Sequence, residues 1–283
     1  MAPGSEAYAV NTAQSLLIVV LAGVAACGLP GCLKSEMRRQ MAEQNSVLAP
    51  LFKQTSPAEA ALWASDPHDA DKRARGMNLL ANAPFGGAEA YLNLYRERIK
   101  DDSAPVRAVA ARSLGLHGSP DDVPLIAPLL SQEAVIVRLE AARALQRLHN
   151  PEAAGPLIQR LDIAREPEAQ VRAEAAGALG QYAEGRSLQA LIAALGDASL
   201  VVNSSAYESL KTLTGNDELG MDRKSWTQWS KAADKPFAGR RVYVYPVFSR
   251  ESRWLDYVPF APPVPNETAS TPAGFTLDAK AGK

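Results

Sequence analysis

Hydrophobic and polar positions in the middle of the chain recur at two periods. The short one is helical. Val106, Ala110 and Leu114 stand four residues apart with Val109 and Ser113 beside them, so one stripe is apolar and Arg107 and Arg112 point away from it. The long one is a repeat. "DSAPVRAVAARSLG" at 102–115 returns as "AVIVRLEAARAL" at 134–145, "EAQVRAEAAGAL" at 168–179 and "ASLVVNSSAYESL" at 198–210. Aligned on Val-Arg, the copies stand at Val106, Val137, Val171 and Val202, spaced by 31, 34 and 31 residues. An earlier and weaker copy, "DKRARGMNLL", sets Arg73 against Arg107, Gly76 against Ala110 and Leu80 against Leu114. Five units at a shared period predict an array of stacked supersecondary units.

Each unit reads as two helices. Gly115 or Gly118 ends the first. "SPDDVPLIAPLL" then opens the second, with Ser119 as N-cap, Pro120 in the first turn, and Asp121 and Asp122 favoured by the helix dipole. Later second helices read "GPLIQRL" and "LQALIAAL". Alanines such as Ala110, Ala141, Ala142, Ala175 and Ala176 let neighbouring helices approach closely. One such pair cannot bury both faces, whereas a stack can. The Val-Arg opening, Ala-rich stripe, turn glycine and Pro-Leu-Ile second helix resemble the HEAT-repeat superfamily, in particular the short HEAT-like repeats of phycobilisome-lyase proteins. The resemblance covers residues 57 to 215. It implies an all-α fold, a right-handed α-solenoid of about five helical-hairpin repeats. No ankyrin "TPLHxA" and no tetratricopeptide Trp…Leu-Gly…Tyr pattern is present.

The repeated arginines Arg73, Arg107, Arg138 and Arg172 admit two readings. One is a row of guanidinium groups that binds a phosphate or carboxylate ligand. The other is a structural ladder in which each arginine bonds carbonyls or an acid at the unit junction, such as Asp102 or Asp162. The ladder is what the HEAT-like resemblance implies. Charge agrees with it: residues 100 to 215 hold 11 Lys and Arg against 14 Asp and Glu, the wrong sign for nucleic acid. Across the chain the charges nearly cancel, 30 basic against 31 acidic, and no nucleic-acid partner is expected.

The N-terminus carries an apolar core, "SLLIVVLAGVAACGLPGC", without a charge from Ala7 to Leu33. Its densest part, Leu16 to Cys27, is shorter than the roughly 20 residues of a comfortable span. The small residues and cysteine that close it resemble the lipobox of a bacterial lipoprotein signal, whose cysteine is lipidated. Cys32 in "LPGC" fits that place, with Cys27 in "VAAC" as alternative; these are the two cysteines of the chain. The stretch before the apolar core, "MAPGSEAYAVNTAQS", lacks Lys and Arg, a departure from export signals. Lys34, Arg38 and Arg39 beyond the core would suit a cytoplasm-facing single-pass anchor instead.

After Gly215 the repeat stops. "NDELGMDRKSWTQWSKAA" offers Asp222 as N-cap of a short helix with Trp226 and Trp229 on one face. "LTG…GMD…W" resembles the ending of exported planctomycete HEAT-repeat proteins, and such a helix would cap the open end of the solenoid. Trp226 to Phe260 holds nine of the 18 aromatics, and residues 223 to 253 hold eight basic against two acidic groups. Trp226, Trp229, Arg240, Arg241, Tyr243 and Tyr245 are therefore candidates for a clamp or cap on the helical body or for a contact with a protein or glycan; basic and aromatic together would also suit single-stranded nucleic acid, against which export argues. Val242 to Tyr245 have strand propensity, limited by Pro246 to an edge or irregular place. From Pro259 the Pro-rich composition predicts disorder.

No catalytic constellation emerges. The metal enzymes of the HEAT-like superfamily carry His-Glu pairs, and no His-Glu dipeptide occurs here. His117 and His149 fall near turns, without placed carboxylates. No cofactor and no metal is expected. The sequence reads as a signal or anchor at 1–32, a helical lead-in at 33–56, repeats at 57–215, a cap helix and basic aromatic segment at 216–258 and a tail at 259–283. The function expected is a non-catalytic protein-interaction scaffold of unidentified partner, tethered to a membrane by an N-terminal lipid or anchor. A HEAT-like enzyme or lyase-type accessory factor is the alternative.

Overall fold

The computed structural model describes residues 55–246 and 269–276; Cys27, Cys32 and the lead-in up to residue 54 lie outside them. The described residues from 56 onward form one compact unit. The described residues hold eleven α-helices: α1 Pro57–Ala64, α2 Ala70–Ala81, α3 Glu89–Arg98, α4 Ala104–His117, α5 Val123–Ile126, α6 Val135–Arg147, α7 Ala154–Gln159, α8 Ala169–Leu179, α9 Gly185–Ala194, α10 Leu200–Thr214 and α11 Arg223–Ala232. The architecture is the expected all-α solenoid.

The first helices α2, α4, α6, α8 and α10 pack side by side in chain order, and the shorter second helices form the other layer. The aligned positions explain the order. Val106, Val137, Val171 and Val202 are fully buried, as are Ala110, Ala141, Ala175 and Ala206 one turn on, and Leu114, Leu145, Leu179 and Leu210 a further turn on. Each such leucine contributes about 1.5–3 kcal/mol by leaving water. The small residues set the spacing: a Cβ on Gly115 would stand 2.7 Å from Cα of Ala144 on the neighbouring helix. Gly115 is therefore a packing position inside α4, and Gly118 follows the helix as its C-cap.

The second helix of the unit after α4 differs from the expected continuous helix. It is a short 3₁₀ turn, Pro120–Asp122, then α5, then a second 3₁₀ segment, Ala127–Ser131. Pro124 and Pro128 lack the N–H that each helical turn needs, so the ladder of i to i−4 bonds cannot run through. The expected start is present: Ser119 N–H bonds Asp122 Oδ2 at 2.9 Å in a capping box.

Asp222 caps α11 by accepting from the N–H groups of Lys224 and Ser225. This helix packs on α9 and drives Trp226 into the core, where its ring is fully buried and its Nε1–H donates to Gly220 O at 2.7 Å. Trp229 meets it edge-on at 5.6 Å. The chain reverses into this cap at Gly215, whose φ of 72° is left-handed and whose α-carbon lies against the carbonyl of Gly239.

Beyond the cap, Val242 to Tyr245 take the irregular one of the two places that Pro246 leaves open, with Arg241 N–H on Thr212 O and Tyr245 N–H on Ser270 O. Residues 269–276, inside the stretch expected to be disordered, are held in place by a bridge between Ala273 and Leu148. Three main-chain bonds and the half-buried ring of Phe275 fix them, which composition does not register.

Candidate functional site

The repeated arginines form a ladder of a specific kind. Each reaches back to the carbonyls that precede its own helix. Arg107 Nη1 donates to Asp101 O and Asp102 O at 2.7 and 2.9 Å, Arg138 Nη1 to Gln132 O and Glu133 O at 2.9 and 2.6 Å, and Arg172 Nη1 to Glu166 O and Pro167 O at 2.9 and 2.8 Å. Three of the four also reach forward to an acid of the next unit. Arg73 bonds Asp101 at 2.8 Å and Asp102 at 2.9 Å. Arg138 grips Glu166 with two bonds, 2.6 and 2.9 Å, and Arg172 grips Asp197 with two, 2.8 and 2.9 Å. Each acid in turn accepts the N–H two residues on: Asp101 from Ser103, Glu166 from Glu168 and Asp197 from Ser199. The acids occupy one place, six residues before the next unit's ladder position. Asp162, expected there, instead bonds the N–H of Ala164 and pairs with Arg165.

At the corresponding place after Arg107 stands Gln132. Arg107 has no forward acid, and its buried Nε has no partner among the described residues. The other ladder arginines are nearly enclosed: 5% of Arg73, 8% of Arg138 and 2% of Arg172 is exposed. A soluble phosphate or carboxylate has no open face to approach. The geometry is that of joints between units. Burial pushes the Asp101 carboxyl up, but Arg73 and the Ser103 N–H outweigh it and leave the group below the ordinary carboxylate value. Asp197 is held low by its bond to Arg172 against the opposing effect of burial. Arg138 is raised by Glu166.

Beside the ladder, the starts of two first helices carry exposed apolar side chains at matching positions. Val135 and Ile136 precede Arg138 by three and two residues, and Leu200 and Val201 precede Asn203 likewise. Leu200 is 70% and Val201 60% exposed. Ile163, also exposed, lines an open groove of about 550 Å³ with Ile158, Leu161, Ala190, Ala193 and Ala198. Periodicity did not flag these positions, because they lie just outside the buried stripe. Aligning the repeats at the two residues upstream of Val-Arg brings them together.

The aromatic, basic segment after the cap behaves as a strap. Tyr243 is buried, and burial lifts its phenol and that of Tyr182 above the ordinary tyrosine range. Arg240 donates to Gln181 O at 2.7 Å and lies 5.1 Å from the ring centre of Phe275. The Arg147 guanidinium lies over Tyr245 at 4.8 Å. Arg241 pairs with Asp217 at the surface, with Nη1 3.1 Å from Oδ1. Trp226 and Tyr243, considered as partner contacts from the sequence, present almost no surface. Their large apolar rings are spent on the solenoid itself. Trp229 is half-buried against Trp226. Of the six candidates, Arg241 is exposed.

The two histidines do not meet. His117 bonds Ala81 O at 2.6 Å. His149 Nδ1 lies 3.0 Å from Gln181 Oε1, and the ring stacks on Tyr182 at 5.1 Å. Among the described residues no group of three or more His, Cys, Asp or Glu is placed to hold a metal ion, and no helix is long and apolar enough to cross a membrane.

Comparison with known proteins agrees with this architecture. Residues 92–164 match the family model for HEAT repeats, and residues 171–197 that for the PBS lyase HEAT-like repeat. The chain therefore carries HEAT repeats through its middle. No curated protein matches it. Among solved structures, the X-ray structure of the Escherichia coli protein YibA is 16% identical, with 71% of this chain and 81% of that chain covered and a TM-score of 0.46.

Proposed function

We propose that the protein is a non-catalytic protein-interaction scaffold, tethered to a membrane on the exported side of the cell envelope by lipid on Cys32, or on Cys27. The observation that carries the scaffold reading is two pairs of exposed apolar side chains, Val135 with Ile136 on α6 and Leu200 with Val201 on α10, at matching places beside the ladder. Exposed apolar pairs repeated at the starts of first helices suit a protein partner. Pull-down with crosslinking from the native envelope tests it. Leu200→Glu with Ile136→Glu is expected to lose the captured partner at an unchanged melting temperature; capture that survives both changes refutes this face. Palmitate labelling tests the tether, which is lost as an idea if neither Cys32→Ala nor Cys27→Ala alters label or size.

The match of residues 171–197 to the PBS lyase HEAT-like repeat supports a second reading, a lyase-type accessory factor. A pigment or cofactor that copurifies with the protein would favour it. A cytoplasm-facing anchored scaffold, suggested by Lys34, Arg38 and Arg39, predicts protease resistance of the C-terminal body in intact cells with a permeabilised outer membrane. The planctomycete-type exported lipoprotein remains the context we infer from the N-terminal cysteines and the "LTG…GMD…W" ending.

A further inference from the structure

Among the described residues, 269–276 meet the solenoid through an isolated β-bridge. Ala273 spends both of its main-chain groups on the end of α6: its N–H donates to Arg147 O and its carbonyl accepts from His149 N–H, each at 2.8 Å. This is a parallel β-type bridge to Leu148. Two residues on, Phe275 presents its ring to the edge of His149 at 5.3 Å, to the Arg240 guanidinium at 5.1 Å and to Tyr243 at 6.4 Å. Pro272 is buried on the near side of the bridge. Gly274, between bridge and ring, has φ of 80°, and a Cβ there would stand 2.5 Å from Pro120 Cγ. The site therefore reads four successive features: a buried proline, a main-chain pair, a glycine and an aromatic ring.

The walls of this site are held by bonds that do not involve the segment. Gln181, fully buried, donates from Nε2 to Leu145 O at 2.8 Å, meets His149 with its Oε1 and accepts Arg240 on its carbonyl. Tyr182 backs the His149 ring. Two repeat units and the strap thus bond one another to make the floor on which Phe275 lies. Main-chain pairing plus an aromatic anchor in a preformed pocket is the physics of peptide recognition by strand addition. A covalently joined peptide of this kind sits at an effective concentration of order millimolar, which keeps a modest ligand bound.

We infer that residues 271–275 are a peptide ligand bound in cis, and that the pocket of Leu148, His149, Tyr182, Arg240 and Tyr243 is a recognition site for an extended Pro-small-Gly-aromatic peptide of a partner protein, which displaces the tail. This deepens the scaffold reading and rests on it, giving the scaffold one partner chemistry. It is a different surface from the Leu200 edge.

The test uses the full chain. Gly274→Val with Phe275→Ala removes the left-handed glycine and the ring, and so releases the tail. The probe is a fluorescein-labelled synthetic peptide of residues 269–276, followed by anisotropy. The released variant is expected to bind it at least about tenfold more tightly than the unaltered protein, whose site is filled. A peptide with alanine in the place of Phe275 is expected to bind about tenfold more weakly, because the ring is the anchor. A released variant that keeps its melting temperature and yet binds the peptide no better than the unaltered protein overturns the inference, as does equal binding of the alanine peptide. Should the variant not fold, amide exchange in the unaltered protein decides. The Ala273 and His149 amides are then expected to exchange at least about a hundredfold faster than Leu145 through local release. Equal protection would make the tail a fixed part of the fold and sink the idea. Failure here leaves the envelope pull-down free to succeed through Leu200 and Ile136, so the two readings fall separately.

Discussion

Arg138 offers the sharpest test of the ladder. Arg138→Ala removes four bonds at once, two to the Glu166 carboxylate and two to the carbonyls of Gln132 and Glu133. Glu166 is wholly buried. After the change its carboxylate retains the Glu168 N–H but loses its guanidinium partner. Stranding one member of a buried ion pair costs about 3–5 kcal/mol, far more than the net worth of the pair. At about 2–4 °C per kcal/mol for a domain of this size, the melting temperature should fall by roughly 6–20 °C. Arg107→Ala is the internal control. It loses two bonds to carbonyls, but strands no acid because Gln132 occupies the forward place. Its cost should be about 1–2 kcal/mol.

Calorimetry and urea unfolding followed by far-UV circular dichroism measure both variants. Glu166→Ala and the double variant complete a thermodynamic cycle, in which coupling of about 2 kcal/mol is expected for a desolvated pair. Because stacked units unfold semi-independently, amide exchange should show the loss in α6 and α8 before α2. Equal destabilisation by Arg138→Ala and Arg107→Ala, or coupling under about 0.5 kcal/mol, refutes the forward ion pair as the joint. Loss of partner capture at unchanged stability would return the arginines to a binding role.

Acid should weaken the same joints. Asp101 and Asp197 have folded-state carboxyls below the ordinary value of 3.8. Their contribution is complete above that value and is lost as pH falls through the lower, folded one, so urea midpoints should hold from about pH 6 to pH 4 and then drop; Asp197→Asn should flatten the drop. Gly115→Ala places a Cβ 2.7 Å from Cα of Ala144 and should cost about 1–3 kcal/mol in a thermal melt. Gly155→Ala in α7, where the nearest atom is the Arg186 guanidinium at 3.8 Å, should instead stabilise by about 0.5–1 kcal/mol. Trp226→Ala opens the core under the cap and should cost about 3–5 kcal/mol. Arg241→Ala removes an exposed, solvent-screened pair with Asp217 and should leave the urea midpoint nearly unchanged, and the reverse ranking by urea unfolding would contradict the cap assignment.

The solenoid is legible from the sequence because each unit pays the same burial cost at the same positions. Val, Ala and Leu at fixed offsets from the arginine are each separately forced inside, so periodicity alone reports them. The ladder acids are fainter for a chemical reason. Their place, six residues before the next ladder position, is filled by Asp101, Gln132, Glu166 and Asp197, three residue types joined by one geometric task. The strap is fainter still, since its pairs join residues as far apart as Arg147 and Ala273 with no recurring spacing. A Pro- and Gly-rich stretch reads as disorder on average composition, and average composition cannot see one bridge and one ring.

Asn203 shows where the two kinds of order exchange. A ladder arginine is useful in proportion to what the next unit offers it, and α10 is the last first helix. There the lateral linkage changes character. Ser209 Oγ donates to Ala176 O at 2.8 Å, Trp226 closes the apolar end, and the returning main chain bonds Thr212 through the Arg241 N–H. From that point the strap runs back along the ends of α8 and α6, so the lapse of the arginine and the start of the strap are one event in the fold. The side of the solenoid opposite the strap's anchor, where Leu200 and Val201 stand exposed beside Asn203, carries none of these linkages among the described residues. Apolar side chains kept at the surface on a helix that needs no further lateral joint are free to serve a partner, which is the physical basis for looking there first.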